Sequence, residues 1–282
     1  MSTQQLHTYI DVFAVQLQNL GYNGENIIIP LLFLLIICLI ILHKFSRFFT
    51  TNHHASSTTF SSAIPLVIPR HIALIPDGNR RWSRSTFGGD ATAGHAKSGD
   101  TLTNLVDWCQ DRGVKELSVY GWSSENWSRP EDEIQHCMQQ LEQTIGEWIE
   151  KKDTSNVAYY FVSSSIHKLP TSLREKMQTL HELTQKNSAL TVYIYLSYGF
   201  LEDLGNIKDG IRFKELSAVP KTASNPDLLI RTGGEQRLSN FIMGHLVYTE
   251  LCFINHLFPE CDSKVWDDCI KQFSQRKRRF GK

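Results

Sequence analysis

The sequence predicts an α/β fold: a single, mostly parallel central sheet of about six strands flanked by helices, preceded by one N-terminal membrane helix. Three observations carry this prediction. From Ile64 onward, apolar runs of strand length alternate with longer stretches of helical period. Such alternation argues for a mostly parallel sheet covered on both faces, and several strand runs empty into polar, Gly- and Arg-containing loops. Far upstream, Ile27 to Leu42 forms an uncharged apolar run interrupted only by Pro30.

Taken in order, residues 1–26 form a polar N-terminal segment. The run 27–42 would cover about 24 Å as a helix, slightly short of a hydrocarbon core unless flanking residues contribute. No Lys or Arg precedes it, whereas His43, Lys44 and Arg47 follow, so the charge bias puts the remainder of the chain on the cytosolic side of a single-pass anchor. In a eukaryote the endoplasmic reticulum membrane would be the expected site. A cleaved signal peptide fits less well, because the lead-in is long and has no basic start; a buried core helix is the other alternative. Residues 43–63, including the Ser/Thr-rich stretch Thr50 to Ser62, read as a linker, and 64–282 as one catalytic domain without internal repeats.

Within that domain the expected elements are a strand at 71–76, a helix near 96–112 stopped by Gly113, and a strand at 117–120. A helix at about 131–151 follows, with Ile134, Met138, Leu141, Ile145 and Trp148 inward, then a strand at 157–162 and a helix opened by Pro170. A strand at 190–196, a short helix after Glu202, a strand at 227–230, a short strand near Leu251 and a helix at about 263–278 complete the series. Ligands in such sheets bind outside the carboxyl ends of the strands.

Composition narrows the partners. The 29 basic and 29 acidic residues cancel, so no overall field favours nucleic acid. Six scattered cysteines without a CxxC pair indicate neither a zinc site nor a disulfide framework, and read as reduced core thiols.

The strand ends carry the chemistry. After Ile72 to Ile75, Pro76 turns the chain into a polar loop with Asp77, Gly78, Asn79, Arg80, Arg81 and Trp82. This is either a tight turn rimmed by solvated arginines or a phosphate site in which Gly admits the anion, Arg clamps it and Asp holds a divalent cation. The next cluster, Ser123, Ser124, Glu125, Asn126, Trp127, Ser128 and Arg129, is boxed by Trp122 and Trp127. A Ser128 helix cap ahead of Glu131, Asp132 and Glu133 would explain only its last part. A third loop, Arg231 to Asn240, holds Gly233, Gly234, Arg237, Leu238 and Ser239, and reads as an oxyanion cradle or a Gly-Gly turn. Glu250, in an apolar stretch, needs a cation, either an Arg or a metal.

Together these strings, DGNRRW at 77–82, GH at 94–95, SSENW and RP at 123–130, DLLIRTGGEQRLSNF at 227–241, YTEL at 248–251 and RRFG at 278–281, resemble the cis-prenyltransferases, the undecaprenyl and dehydrodolichyl diphosphate synthases. The resemblance covers 65–282. It implies a magnesium-dependent enzyme that condenses isopentenyl diphosphate with an allylic prenyl diphosphate to form a cis-polyprenyl diphosphate. Asp77 and Asn126 would be catalytic, Asp77 and Glu250 the magnesium carboxylates. Gly78, Asn79, Arg80, Arg81 and His95 would take the allylic diphosphate; Arg231, Arg237 and Ser239 the isopentenyl diphosphate. Trp82, Ser123, Ser124, Glu125, Trp127, Arg129 and Leu238 fall within the matching substrate-binding strings. Arg279 and Gly281 fit an Arg-x-Gly that reaches a partner's site, so the resemblance implies a homodimer, with a heteromer as the alternative.

Several positions depart from that pattern. Ala91 stands where an Arg four residues before the Gly-His histidine is usual, Phe200-Leu201 replaces Gly-Arg, Gln236 replaces a common His, and the stretch before Pro226 is about a helix shorter. These departures keep two alternatives open: a short-chain or irregular synthase of the same fold, and a non-catalytic membrane subunit of a heteromer.

Overall fold

β1, His71–Ile75, is buried at every residue and lies at the centre of a six-stranded sheet ordered β3-β4-β2-β1-β5-β6. The computed structural model describes residues 66–88, 93–151, 155–205, 219–220 and 222–279. The remaining strands are β2 (Glu116–Ser123), β3 (Val157–Val162), β4 (Leu190–Tyr198), β5 (Leu228–Arg231) and β6 (Glu250–Phe253). Every pairing is parallel. That agrees with the sequence expectation, and the reason is the continuous apolar runs, which only a sheet covered on both faces can bury.

The helices are α1 (Asn79–Phe87), α2 (Ala93–Asp111), α3 (Glu131–Glu150), α4 (Thr171–Thr184), α5 (Phe200–Gly205) and α6 (Ser263–Ser274). One face of the sheet builds the larger core with residues of α2, α3, α4 and α6; the other packs Tyr120, Tyr195 and Tyr198 around Phe241. Gly113 leaves α2 at φ 76°, a left-handed residue that ends the helix as expected.

Three local readings are corrected. Residues 77–82 are not one polar loop, because α1 begins at Asn79. Gly78 supplies the turn at φ 107°, and Asn79 Nδ2 donates to the Pro76 carbonyl at 3.2 Å. Ser128 does not cap α3: its hydroxyl donates to the Glu125 carbonyl at 2.7 Å, and Pro130 precedes the helix. The last helix stops at Ser274, four residues short of the expected end.

β2 contains a bulge. Val119 and Trp122 reach the same core although three residues apart, which a regular strand forbids, and the register against β4 shifts between Tyr120 and Trp122. Gly121 permits it, since a Cβ there would lie 2.9 Å from Leu196 Cδ2.

The five described cysteines are buried and none is in a disulfide, in keeping with core thiols. Among the described residues no helix is long and apolar enough to cross a membrane. The apolar run 27–42, its flanks 1–26 and 43–63, and Cys38 lie outside the described residues, as do Ala91 and most of the stretch before Pro226.

Candidate active site

From β1 and β2 the chain winds out to β4 and β3, then returns to place β5 and β6 on the far side of β1. The order therefore reverses between β1 and β5, the switch point where parallel sheets open a crevice. Ile75 is in register with Arg231 there, so Asp77 and Arg231 meet across that crevice.

Arg231 is 3% exposed; its Nη2 donates to Asp77 Oδ2 at 2.9 Å and its Nη1 to Ser239 Oγ at 2.7 Å and to the Arg237 carbonyl. Its Nε has no hydrogen-bond acceptor among the described residues. Thr232 locks the other side of the turn: its hydroxyl accepts from the Asp77 N–H at 2.8 Å and donates to the Asp77 carbonyl at 2.7 Å. Arg81 Nη2 approaches Asp77 Oδ1 at 3.4 Å.

Around this pair lies a cavity of about 560 Å³. Its polar end is lined by Gly78, Asn79, Ser123, Asn126, Ser239 and six arginines (Arg80, Arg81, Arg84, Arg129, Arg231, Arg237) against two carboxylates, Asp77 and Glu235. A chain of zero net charge thus concentrates positive charge in one place. The other end is apolar, with Leu102, Val119, Trp122, Leu141, Ile145, Trp148 and Ile194. From Cys137 to Trp148 the α3 wall runs about 16 Å. The Trp148 ring is fixed, stacked on Tyr159 at 4.8 Å, with its N–H donating to Thr103 Oγ1 at 3.0 Å. Burial pushes the Cys137 thiol in this wall up to about 11.

Glu133 organises the arginines. Nine-tenths buried, it accepts from Arg129 Nη1 at 3.0 Å and stands 3.4 Å from Arg80 Nε, while Arg129 lies over the Trp122 ring at 5.1 Å. The i,i+4 spacing of Arg129 and Glu133 was the available sign, but an acidic residue in a first helical turn is already explained by the helix dipole, and the approach of Arg80 has no mark in the sequence. Thr232 and Asn240 were missed as well; both act through partners more than a hundred residues away.

The Gly-Gly pair does not cradle an anion with its backbone. Gly233 N–H donates to the His256 carbonyl at 2.7 Å and Gly234 N–H to the Ile254 carbonyl at 2.8 Å. Gly233 instead makes room: at φ 82°, a Cβ would lie 2.6 Å from Arg81 Nη2. Within the other loop, Asn126 Oδ1 accepts the Ser123 N–H at 3.1 Å. Trp127 donates to Ser197 Oγ at 2.9 Å and packs edge-on against Trp122. Glu125 pairs with Asn240 at 2.9 Å; burial raises its pKa, but hydrogen bonds from Asn240 and its own backbone outweigh this and hold it below the usual range. Ser124 neighbours Gly199, Leu238 packs against the smaller core, and Trp82 meets Phe87 edge-on at 5.5 Å. Trp82, Ser124, Glu125, Trp127 and Leu238 do not form the cavity wall. His95 falls in the first turn of α2, its side chain outside the described residues.

Glu250 is not brought to Asp77 within this chain. It pairs in register with Leu228, which pairs with Ile72, so it sits about 10 Å below the carboxyl edge of the sheet. Its carboxylate is held by Arg276 at 3.0 Å. Arg279 follows Arg278, whose Nη1 donates to Asp227 Oδ1 at 2.7 Å at the same lower edge; Gly281 lies outside the described residues. Among the described residues, no cluster of three or more His, Cys, Asp or Glu could hold a metal. Asp77, partly open to the cavity beside the arginines, is a carboxylate that would hold a magnesium ion together with phosphate oxygens of a substrate.

A switch-point crevice with six arginines at one end and an apolar trough at the other defines an enzyme for ligands with a polyanionic head and an apolar tail. The chain belongs to the prenyltransferase family described as putative undecaprenyl diphosphate synthases, whose family model matches residues 75–281; it is a cis-prenyltransferase. It is 36% identical over 224 residues to an isoprenyl transferase of Fusobacterium nucleatum, covering 76% of this chain and 96% of the relative. It is 33% identical to a chloroplastic (2Z,6Z)-farnesyl diphosphate synthase of Solanum lycopersicum, covering 76% of this chain and 80% of that one. The crystal structure of lavandulyl diphosphate synthase from Lavandula x intermedia in complex with dimethylallyl diphosphate superposes with a TM-score of 0.71 at 27% identity, covering 76% of this chain and 98% of the other.

Proposed function

We propose that this enzyme, which condenses isopentenyl diphosphate with an allylic diphosphate to give a cis-prenyl product, divides its polar crevice between the two heads. The allylic diphosphate lies over the start of α1, against Arg80 and Arg81 and near His95, where unpaired helical N–H groups favour an anion. The isopentenyl diphosphate lies on Arg231, Arg237 and Ser239. The six arginines at the switch point are the observation that carries this reading.

As the allylic carbon–oxygen bond breaks, its electron pair leaves with the diphosphate, and arginines aimed there meet the growing charge. The isopentenyl double bond supplies the electrons of the new carbon–carbon bond, and loss of a proton from the adjacent carbon restores an alkene. Asn126 Oδ1 already accepts from Ser123, so its amide is left to donate. That favours a relay in which Asn126 orients a phosphate or water that takes the proton, because a donor cannot be the base itself. Magnesium, when bound beside Asp77, would neutralise charge on the diphosphate oxygens. Glu250 and Arg279, at the opposite edge of the sheet from their own crevice, would serve a second copy of the chain, in a homodimer.

The apolar run 27–42 would tether the enzyme to a membrane, with 64–282 as the cytosolic catalytic domain. A long prenyl product is itself a lipid, which gives the tether a purpose. The modest cavity volume of about 560 Å³, with Trp148 in its apolar lining, also favours a second reading, a product of few isoprene units.

The purified protein, incubated with labelled isopentenyl diphosphate, allylic primers of several lengths and magnesium, should release a prenyl diphosphate whose length is read by chromatography. Absence of product with every primer, restored only by a second protein, would assign the chain to a heteromer instead. Removal of residues 1–63 should leave a soluble, active enzyme; failure to fold would make the apolar run part of the core.

A further inference from the structure

We infer that Asn240 is the positioning residue that assembles the isopentenyl diphosphate half of the crevice, a role that rests on the function proposed above. Its side chain ties the segments that follow two other strands to its own loop after β5. Nδ2 donates to Glu125 Oε1 at 2.9 Å, in the turn after β2, and to Glu202 Oε2 at 3.1 Å, in α5 after β4. Oδ1 accepts the Leu201 N–H at 2.8 Å, and the Asn240 carbonyl accepts the Phe200 N–H at 2.8 Å. Asn240 itself belongs to the loop after β5, next to Ser239, which accepts from Arg231. Hydrogen bonds therefore run from Asp77 through Arg231 to Ser239, and the adjoining Asn240 extends the connection to both carboxylates.

The backbone is shaped for this arrangement. Ser239, Asn240 and Ile242 have φ of 49°, 63° and 31°, left-handed values that non-glycine residues adopt at a cost, and such strain gathers at functional sites. Gly199 clears the space, since a Cβ there would lie 2.6 Å from Asn240 Nδ2 and 2.5 Å from Ser124 Oγ. Only an amide suits the centre. Two N–H donors satisfy two carboxylates that would otherwise repel, while the oxygen takes a backbone N–H. An aspartate would keep that last bond and bring a third negative charge. Movement of the β5 loop would then displace Ser239, and movement of the β2 turn would displace Asn126.

The test is Asn240→Asp, with steady-state kinetics in both substrates across pH. At neutral pH, kcat/KM for isopentenyl diphosphate should fall about 10²-fold, the scale of a misplaced reactant, with the allylic KM little changed. Activity should recover as the pH falls, because the introduced carboxyl group, once protonated, can donate again. The polarity-inverting triple variant Glu125→Gln, Glu202→Gln, Asn240→Asp, which turns both acceptors into donors, should recover most of the loss at neutral pH. A pH profile parallel to that of the wild type, together with no recovery in the triple variant, overturns the inference. If Asn240→Asp does not fold, Glu125→Leu, which removes the acceptor of the Asn240 Nδ2 bond, decides under the same kinetics: a raised KM for isopentenyl diphosphate supports the role and an unchanged one overturns it. A wild-type protein that neither condenses nor binds isopentenyl diphosphate overturns the functional reading and this inference together; an active wild type with insensitive variants overturns the inference alone.

Discussion

Arg231 Nη2 reaches Asp77 Oδ2 at 2.9 Å, joining residues 154 positions apart across the point where strand order reverses. The pair sets the geometry of the crevice floor, because Arg231 is buried while Asp77 remains partly open to the cavity. Removal of the carboxylate should leave a folded protein that has lost turnover. For Asp77→Ala we expect a fall of about 10²- to 10³-fold or more in kcat. Its destabilisation should stay near ~1–3 kcal/mol, the range for a stranded polar partner. Single-turnover kinetics and urea unfolding measure the two effects separately, and near-normal turnover would remove Asp77 from the site.

Two glycines separate crowding from backbone strain. Gly233→Ala must place a methyl 2.6 Å from Arg81 Nη2 and 3.1 Å from the Asp77 carbonyl, at φ 82°. Gly113→Ala has φ 76° and nothing within 4 Å. Both should lose about 1–3 kcal/mol through the left-handed backbone. Only Gly233→Ala should also lose activity, and thermal unfolding compared with the condensation rate tells them apart.

Trp148 should limit the trough. Trp148→Ala is expected to cost about 3–5 kcal/mol and, where the protein still folds, to lengthen the product. Trp148→Phe should lengthen it less while giving up the bond to Thr103. Chromatography of the products decides; an unshifted distribution places the limit elsewhere.

His71 predicts a pH dependence of stability. Its Nδ1 lies 2.7 Å from the Ser224 carbonyl and so donates, and Nε2 lies 2.9 Å from Ser118 Oγ, a hydroxyl that can donate to it in the neutral ring. Burial holds its pKa below the ordinary 6.5, against the opposing pull of Glu116 and Asp227 and with a small contribution from His245. The unfolded chain therefore takes up a proton first as pH falls. Stability from this group is complete above 6.5 and declines below it. Urea midpoints at about pH 8 and about pH 5.5 should differ, and His71→Asn should shrink the difference. An unchanged difference would assign the effect to other groups.

Much of the fold was legible because burial on both faces leaves a plain mark: β1, β3 and β4 are apolar runs, and their ends fell within two residues of the expected places. α1 was not legible. Its sequence NRRWSRSTF has only Trp82 and Phe87 to define a face, so the positional cue of Gly78 outweighed a periodicity that was not there. The site residues could be found as loop compositions, but not their relations. Asp77, Arg81 and Arg231 converge, whereas Glu250 lies at the opposite edge, and only the strand register separates those cases. Spacing alone pairs Glu133 with Arg129 four residues before it, but its approach to Arg80 and that of Asn240 to Glu125 are set by tertiary structure and stayed hidden.

The glycine pair after β5 has both its amides committed to carbonyls of the neighbouring chain segment, so the anion recognition proposed for that side of the crevice falls chiefly to the Arg231 and Arg237 guanidiniums and the Ser239 hydroxyl. Recognition carried by main-chain amides is fixed by the backbone; recognition carried by side chains can be exchanged one codon at a time. This half of the crevice is accordingly free to diverge in substrate preference while the sheet beneath it stays constant.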